Sequence, residues 1–453
     1  MKKPKVVFVA SDPPMPPTGG GNRTFHFARA VAEVSCCHLF VLFPIDKVKL
    51  PAVLLDSCTA VVTSTKRFTS SAQNKLAILL YYIRLLFFPW SFSKRQIILT
   101  ADYYVTTTIA SKSPLNKFFY KIVKHTLAEY ALFLYRLGYN FPVKTLERYD
   151  QIQEIMPDIL RELKKADKLW IDFSSLFPYF TSIRYLLPGI RVVCNAHNIE
   201  YKYLERLNAT AKTQLEKRWY QMQALAMKRI ELEGFEKCDL VITCSETDKK
   251  EVLQHLPNVN VEVLPNGVDV EYFTPASCLT HTPSLLFTGT MSYKANKDAV
   301  AYFIDSIFPL ILKQFPECTF KIAGAGAKQA LKDFVGMKGV EIISDPEDMR
   351  PLYNEAWIVV VPLRSGSGTR LKILEAMAME KPVVSTEVGA EGLLLTNGLE
   401  LLIAPNDMTF ANDVVTLIQD YELAIRISKL GKERASEDYS WERIRGKLKK
   451  TIF

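Results

Sequence analysis

Residues 364–378 read Arg364-Ser365-Gly366-Ser367-Gly368-Thr369-Arg370-Leu371-Lys372-Ile373-Leu374-Glu375-Ala376-Met377-Ala378. This is a glycine-rich turn set between a short apolar run, Ile358–Val361, and the start of an apolar-periodic helix. Glycines at 366 and 368 let the backbone come close to a ligand, and the helix N-terminus behind them offers unpaired N–H groups and the positive end of a dipole. Arg370 and Lys372 then place cations in a first helical turn, where they are normally disfavoured. They make sense there if a dianion such as a diphosphate occupies the turn. Glu375 sits further along, among Leu371, Leu374, Ala376 and Met377. A carboxylate in apolar surroundings can accept both hydroxyls of a ribose, although a surface Glu on an amphipathic helix fits the same pattern.

Outward from this turn, short β-rich runs alternate with longer helical patterns, which predicts parallel sheets flanked by helices. Before the middle of the chain the expected strands are Val6–Ala10, His38–Leu42, Ala60–Ser64, Lys168–Asp172, Arg191–Ala196, Leu240–Cys244 and Val261–Leu264. After it they are Leu285–Gly289, Thr319–Ala323, Val340–Ile343, Ile358–Val361, Pro382–Thr386 and Leu401–Ile403. The turn-rich stretch between the two series reads as a linker, so the expected fold class is α/β, two Rossmann-like doubly wound parallel-sheet domains joined once. No internal repeat and no low-complexity segment interrupts them.

The composition agrees with that reading. The chain has 453 residues, 48% hydrophobic and 23% charged, which excludes disordered and collagen-like classes. At that length two large α/β domains fit, as would three of about 150 residues. The net charge of +9 is concentrated: between Lys66 and Lys124 stand ten Lys/Arg against one acid, Asp102. Residues 66–165 are also helix-rich and aromatic, with Lys117, Lys121 and Lys124 spaced to share one helical face. Such a face suits an anionic lipid surface, and equally the solvated side of ordinary core helices. The charge is too local to argue for nucleic-acid binding. Eight Cys without metal or redox spacing read as free thiols of a reducing compartment. The apolar run Val6–Ala10 is too short for a signal peptide. Leu76–Trp90, interrupted by Arg84, is too short to span a membrane. The expected location is cytoplasmic, with peripheral attachment at the inner membrane face where the basic insert meets lipid.

The 364–378 stretch resembles the C-terminal signature of family 4 of the glycosyltransferases, retaining enzymes of GT-B fold. The likeness runs on through Lys381-Pro382-Val383-Val384-Ser385-Thr386 and Gly389-Ala390-Glu391-Gly392-Leu393. Other matches stand in the same order: Val263-Leu264-Pro265-Asn266-Gly267-Val268-Asp269, Gly289, Phe320-Lys321-Ile322-Ala323-Gly324-Ala325-Gly326 and Ser440-Trp441. The GxGTRLKxLEAMA form is similar to that of a bacterial polysaccharide-biosynthesis branch.

The resemblance implies a GT-B architecture whose two domains face a cleft. An acceptor-binding domain covers 1–275 with the insert 66–165, and a linker covers 276–283. A nucleotide-sugar-binding domain covers 284–435, and a last helix, 436–453, crosses back to the first domain. It implies donor-binding residues Gly20, Gly21, Asn266, Gly289, Ser367, Gly368, Thr369, Arg370, Leu371, Lys372 and Glu375. Asp172 stands where the family often carries a His near the donor's reactive carbon. His197 and Glu200, in Asn195-Ala196-His197-Asn198-Ile199-Glu200, are candidates to orient an acceptor hydroxyl and relay its proton. Transfer is expected without metal or cofactor, since the chain has no DxD and its six His form no ligand cluster. Asp345 and Asp348 read as helix-start carboxylates.

Two departures stand out. The signature pairs two Glu eight positions apart, and here Ser367 replaces the first. A basic pair usually follows the strand that ends at Gly289, and Thr290 and Asn296 occupy those places, leaving Arg370 and Lys372 to compensate. The expected activity is hexosyl transfer from a nucleoside-diphosphate sugar to a glycan or lipid-linked glycan in cell-surface polysaccharide synthesis. A sugar-nucleotide epimerase of the same fold and a non-catalytic nucleotide-sugar-binding partner are the alternatives.

Overall fold

The computed structural model describes residues 3–15, 19–44, 50–64, 149–180, 183–211, 213–276, 283–365 and 370–452. Most of the expected insert, with Lys117, Lys121 and Lys124, lies outside the described residues, as do residues 277–282 of the expected linker. The chain divides into two compact units, one of Met1–Thr243 and Asp248–Glu262 with Phe453, the other of Cys244–Thr247 and Val263–Ile452.

The first unit is built on seven strands: β1 (Lys5–Ala10), β2 (Cys36–Pro44), β3 (Ala60–Ser64), β4 (Lys168–Asp172), β5 (Arg191–Asn195), β6 (Leu240–Thr243) and β7 (Val261–Val263), in the order β3-β2-β1-β4-β5-β6-β7. The strands are continuous apolar runs because helices cover both faces of such a sheet. Val6 to Ala10 and all of β4 are buried. Trp170 stacks on Phe8 with ring centroids 5.2 Å apart, joining the two central strands through their side chains. Helices α1 (Gly19–Val34), α2 (Tyr149–Leu163), α3 (Glu200–Ala209), α4 (Gln214–Glu236) and α5 (Glu246–His255) belong to this half of the chain. From β1 the chain moves outward to β2 and β3, and from β4 outward the other way. The order therefore reverses between β1 and β4, and the carboxyl ends of those strands border a crevice suited to a ligand.

The second unit repeats the plan with six strands: β8 (Ser284–Thr288), β9 (Thr319–Gly324), β10 (Val340–Ser344), β11 (Ile358–Val361), β12 (Val383–Thr386) and β13 (Leu402–Ala404), in the order β10-β9-β8-β11-β12-β13. Its reversal falls between β8 and β11. Helices α6 (Lys294–Tyr302), α7 (Leu371–Ala378), α8 (Asp407–Gln419), α9 (Tyr421–Tyr439) and α10 (Trp441–Ile452) surround it. Burial of Ile373, Leu374 and Met377 fixes which way α7 faces, each such side chain contributing roughly 1.5–3 kcal/mol. The α9–α10 junction is held to the start of this unit: the Val268 N–H donates to Tyr439 O at 2.8 Å and the Trp441 N–H to Val268 O at 3.1 Å.

All thirteen expected strands are present, with ends shifted by at most two residues, and the described strand pairings are parallel. The seven described cysteines are free thiols. Among the described residues no helix is long and apolar enough to cross a membrane.

Candidate functional site

In the second unit, the candidates gather at the carboxyl ends of β8 and β11. The helix after β11, α7, starts from Arg370, whose own side chain does not cap its first amides, whereas Asn406 caps α8 and Asp420 caps α9. A helix N-terminus that follows a strand's carboxyl end is a ready anion site. Lys372 turns back toward the end of β8. Its ammonium lies 3.8 Å from the centroid of the Phe287 ring and donates to Asn296 Oδ1 at 3.0 Å, while Asn296 Nδ2 donates to Thr290 O at 2.9 Å. Gly289 adopts φ +152°, and a Cβ there would meet Asn296 Nδ2 at 2.7 Å and Lys372 Nζ at 3.0 Å. The glycine is what leaves room for the lysine. Burial, and then the nearby charge of Arg370, pull the Lys372 ammonium down to about 7, with Glu375 pulling the other way.

Glu375 projects one turn further along α7. Its Oε2 accepts a 2.9 Å hydrogen bond from the Tyr353 hydroxyl, whose oxygen lies 3.1 Å from Thr288 Oγ1 on β8. With its own proton committed to the carboxylate, Tyr353 takes the Thr288 proton as acceptor. Burial raises Glu375 above the usual carboxylate range, while Tyr353 and Lys372 favour its charged form. A carboxylate anchored on one oxygen in this way keeps lone pairs for hydroxyl donors. Asn266 is half-buried in the turn that leads to Val268.

In the first unit, Asp172 ends β4 and is fully buried. Thr24 Oγ1 of α1 donates to its Oδ2 at 2.5 Å, and Asn195 Nδ2 donates to Oδ1 at 2.6 Å. His197 Nε2 lies 3.1 Å from the same Oδ1. Arg23 fixes Asn195 by donating to its Oδ1 from Nε and Nη2, at 3.0 and 2.9 Å. Burial alone would raise the Asp172 carboxyl, but the charge of His197 and the hydrogen bonds from His197, Thr24 and Asn195 outweigh it and hold it below the usual range. An ionised Asp172 favours the proton on Nε2 of His197, an assignment that follows from the partners. Phe173, a non-glycine residue at φ 89°, stacks on the imidazole at 3.7 Å between centroids and 16° between planes.

Glu200 opens α3 and is buried. Beneath it lies Glu231 of α4, whose carboxylate accepts from Ser174 Oγ at 2.6 Å, from the Glu200 N–H at 3.0 Å and from the Tyr201 N–H at 2.9 Å. Burial, and then the charge of Glu200, raise Glu231 to about 8.

The structure thus brings Asp172 and His197 into contact and sets Glu200 on the next helix. It brings Gly289, Lys372 and Asn296 together, with Arg370, Leu371 and Glu375 on or beside the same helix. Gly20 and Gly21 lie in the first turn of α1, just ahead of Arg23 and Thr24. Ser367, Gly368 and Thr369 lie outside the described residues. The Arg350 N–H donates to Asp348 at 2.9 Å and the Gly326 N–H to Asp345 at 3.1 Å. Among the described residues no group of three His, Cys, Asp or Glu is arranged to hold a metal. Sequence reading passed over Thr24, Glu231, Thr288 and Tyr353. Glu231 left a signal, because Met227, Glu231 and Phe235 fall on one stripe of α4 and all three are fully buried.

Two parallel-sheet α/β units, each with its candidates at the reversal point of its sheet, define the GT-B class. The family model for glycosyl transferases group 1 matches residues 282–420, and the one for glycosyltransferase family 4 matches residues 122–272. The two matches follow one another along the chain and together cover most of it. It is 26% identical over 268 residues to an uncharacterised 44.6 kDa protein of the cps region of Klebsiella pneumoniae, a match covering 56% of this chain and 67% of that protein. Among solved structures it is similar to sucrose-phosphate synthase from Thermosynechococcus elongatus, with 15% identity, 99% of each chain covered and a TM-score of 0.63. It is similar also to Anabaena Alr3699/HepE in complex with UDP-glucose, with 12% identity, 99% of each chain covered and a TM-score of 0.59. At those identities the structural likeness speaks for the fold.

Proposed function

We propose that the protein is a retaining, metal-independent glycosyltransferase that moves a sugar from a nucleoside diphosphate to a hydroxyl of a glycan or lipid-linked glycan. The observation that carries this reading is the placement of Lys372, whose ammonium reaches Asn296 and Gly289 at the end of β8. Asn296 is one of the two places where the family resemblance leads one to expect a basic residue. Lys372 brings the missing charge there from the first turn of α7. Lys372, Arg370 and the first amides of α7 stabilise the diphosphate as it departs, and fixed positive groups aimed at developing negative charge are usually the largest catalytic contribution. Glu375, held by Tyr353, accepts the ribose hydroxyls.

In the first unit, Asp172 acts on substrate through His197. Its oxygens are taken by Thr24, Asn195 and the imidazole, so it orients His197, and His197 with Glu200 addresses the acceptor. The departing phosphate takes the acceptor's proton on the face it leaves, which accounts for retention without a strong general base. UDP is the first nucleotide to try, because the Anabaena protein of this fold holds UDP-glucose. The Klebsiella relative's cps region supports a role in surface polysaccharide synthesis.

The experiment is product analysis. A panel of nucleotide sugars is offered with glycan acceptors, and the anomeric configuration of the product is read by proton NMR. Transfer with the donor's configuration supports the proposal; inversion, or an epimerised nucleotide sugar, overturns it. A second reading, a nucleotide-sugar-binding partner without turnover, is favoured by Ser367 in place of the expected Glu. Binding with no transfer to any acceptor selects it. The basic insert is proposed to bring the protein to anionic lipid. Changing Lys117, Lys121 and Lys124 to Glu should then abolish co-sedimentation with anionic vesicles, and unchanged sedimentation refutes it.

A further inference from the structure

We propose that Glu231 is a positioning residue for the acceptor side of the site, a single carboxylate that clamps the loop after β4 to the first turn of α3 and so sets His197 against Phe173. The inference rests on the glycosyltransferase reading for what the clamp serves, and on geometry alone for the clamp.

Glu231 is fully buried on the apolar stripe of α4, between Met227 and Phe235. A carboxylate is expensive to place there and persists only where donors meet it. Three do, and they come from two loops at the carboxyl edge of the sheet. Ser174, two residues beyond Asp172, donates to Oε1, which also takes the Glu200 N–H, while Oε2 takes the Tyr201 N–H. Helix α3 has Ile199 at its cap and no side-chain acceptor of its own there. Glu231 supplies that acceptor from another helix, a cap placed across the fold. Between the two clamped segments stand the residues of the candidate site. Phe173 precedes Ser174, holds a strained φ of 89° and stacks on His197, which lies three residues before Glu200. A strained residue persists where its surroundings over-determine it, and the Ser174–Glu231 bond is one such restraint. Above pH 8, where Glu231 is ionised, glutamine is nearly isosteric but has a single acceptor oxygen, so its NH2 would face one of the three donors that the carboxylate accepts.

The test uses the full chain with histidine carrying 13C at Cε1, which gives one NMR signal for each of six His, that of His197 being assigned with His197→Gln. Glu231→Gln and Ser174→Ala are compared with wild type at pH 9, where Glu231 is ionised. Hydrogen exchange of peptides containing Glu200 and Tyr201 is followed, and calorimetry with UDP serves as a control. The clamp predicts that the His197 signal shifts or broadens in both variants while that of His38, on β2, stays in place. Exchange at Glu200 and Tyr201 should rise at least tenfold in Glu231→Gln, with UDP affinity within twofold of wild type. An unmoved His197 signal in both variants overturns the proposal. So does a change spread over all six His, which marks a general structural role. Should Glu231→Gln fail to fold, Ser174→Ala alone decides between these outcomes. Failure of wild type to bind UDP, GDP, ADP or TDP counts against the glycosyltransferase reading, while the NMR signals still decide the clamp independently.

Discussion

Lys372→Met keeps a long, flexible side chain over the Phe287 ring and removes the charge that donates to Asn296. A hydrogen bond to a charged group is worth about 1.5–3 kcal/mol, so the variant should bind UDP about 10- to 150-fold more weakly at pH 6.5. The pH dependence is more diagnostic than the loss. The ammonium of the free protein titrates at about 7, so at pH 9 only about one molecule in a hundred carries the charge. Restoring it for the ligand costs about 2.7 kcal/mol. Wild-type affinity should therefore fall by up to about 100-fold between pH 6.5 and 9 relative to the variant, whose own profile lacks this component. Calorimetry at pH 8 in two buffers of different ionisation enthalpy should find close to one proton taken up per UDP by wild type, about 0.9, and none through this group in Lys372→Met. Stability of the free protein carries the opposite sign. A lysine lowered on folding binds fewer protons folded than unfolded between about 7 and 10.5, so its contribution rises with pH across that window. The melting temperature of wild type relative to Lys372→Met should rise accordingly. Equal affinities at pH 6.5, or a pH profile shared by both proteins, would refute the placement of Lys372 on the diphosphate.

Asp172→Asn must turn an amide N–H toward Thr24, Asn195 or His197, all of which donate to the native carboxylate. It should lower stability by about 1.5–3 kcal/mol and turnover by on the order of 100-fold, with UDP affinity within twofold, as read by chemical denaturation, nucleotide release and calorimetry. Unchanged turnover would sever Asp172 from the reaction. Tyr353→Phe removes the donor to Glu375 Oε2. One neutral-to-charged hydrogen bond predicts UDP binding about 10-fold weaker, and unaltered calorimetry would show that Glu375 needs no such support.

The two sheets were legible because each strand is short, apolar and bounded by turn residues, as Ile358–Val361 and Lys168–Asp172 show to the residue. The helix carrying Arg370, Lys372 and Glu375 was legible for the same reason. The contacts that give those residues their roles were not. Lys372 and Asn296 are 76 positions apart and meet only because β8 and β11 are neighbours. Asp172 could be placed at a strand end, but its complete burial comes from α1 and β5 closing over it, and with that the role proposed for it changes from touching substrate to holding His197. Glu231 shows the opposite case. A glutamate on the buried stripe of a helix breaks the apolar pattern, and that breach is visible in the sequence without the loops it ties.

The central claim, a nucleoside-diphosphate site on the second unit, is tested most directly by calorimetric titration of wild type and Glu375→Ala with UDP, GDP, ADP and TDP. One nucleotide should bind wild type, and the variant should bind it about 10- to 150-fold more weakly, the value of a charged hydrogen-bond acceptor. Binding of none of the four, or of one with equal strength in both proteins, would contradict it.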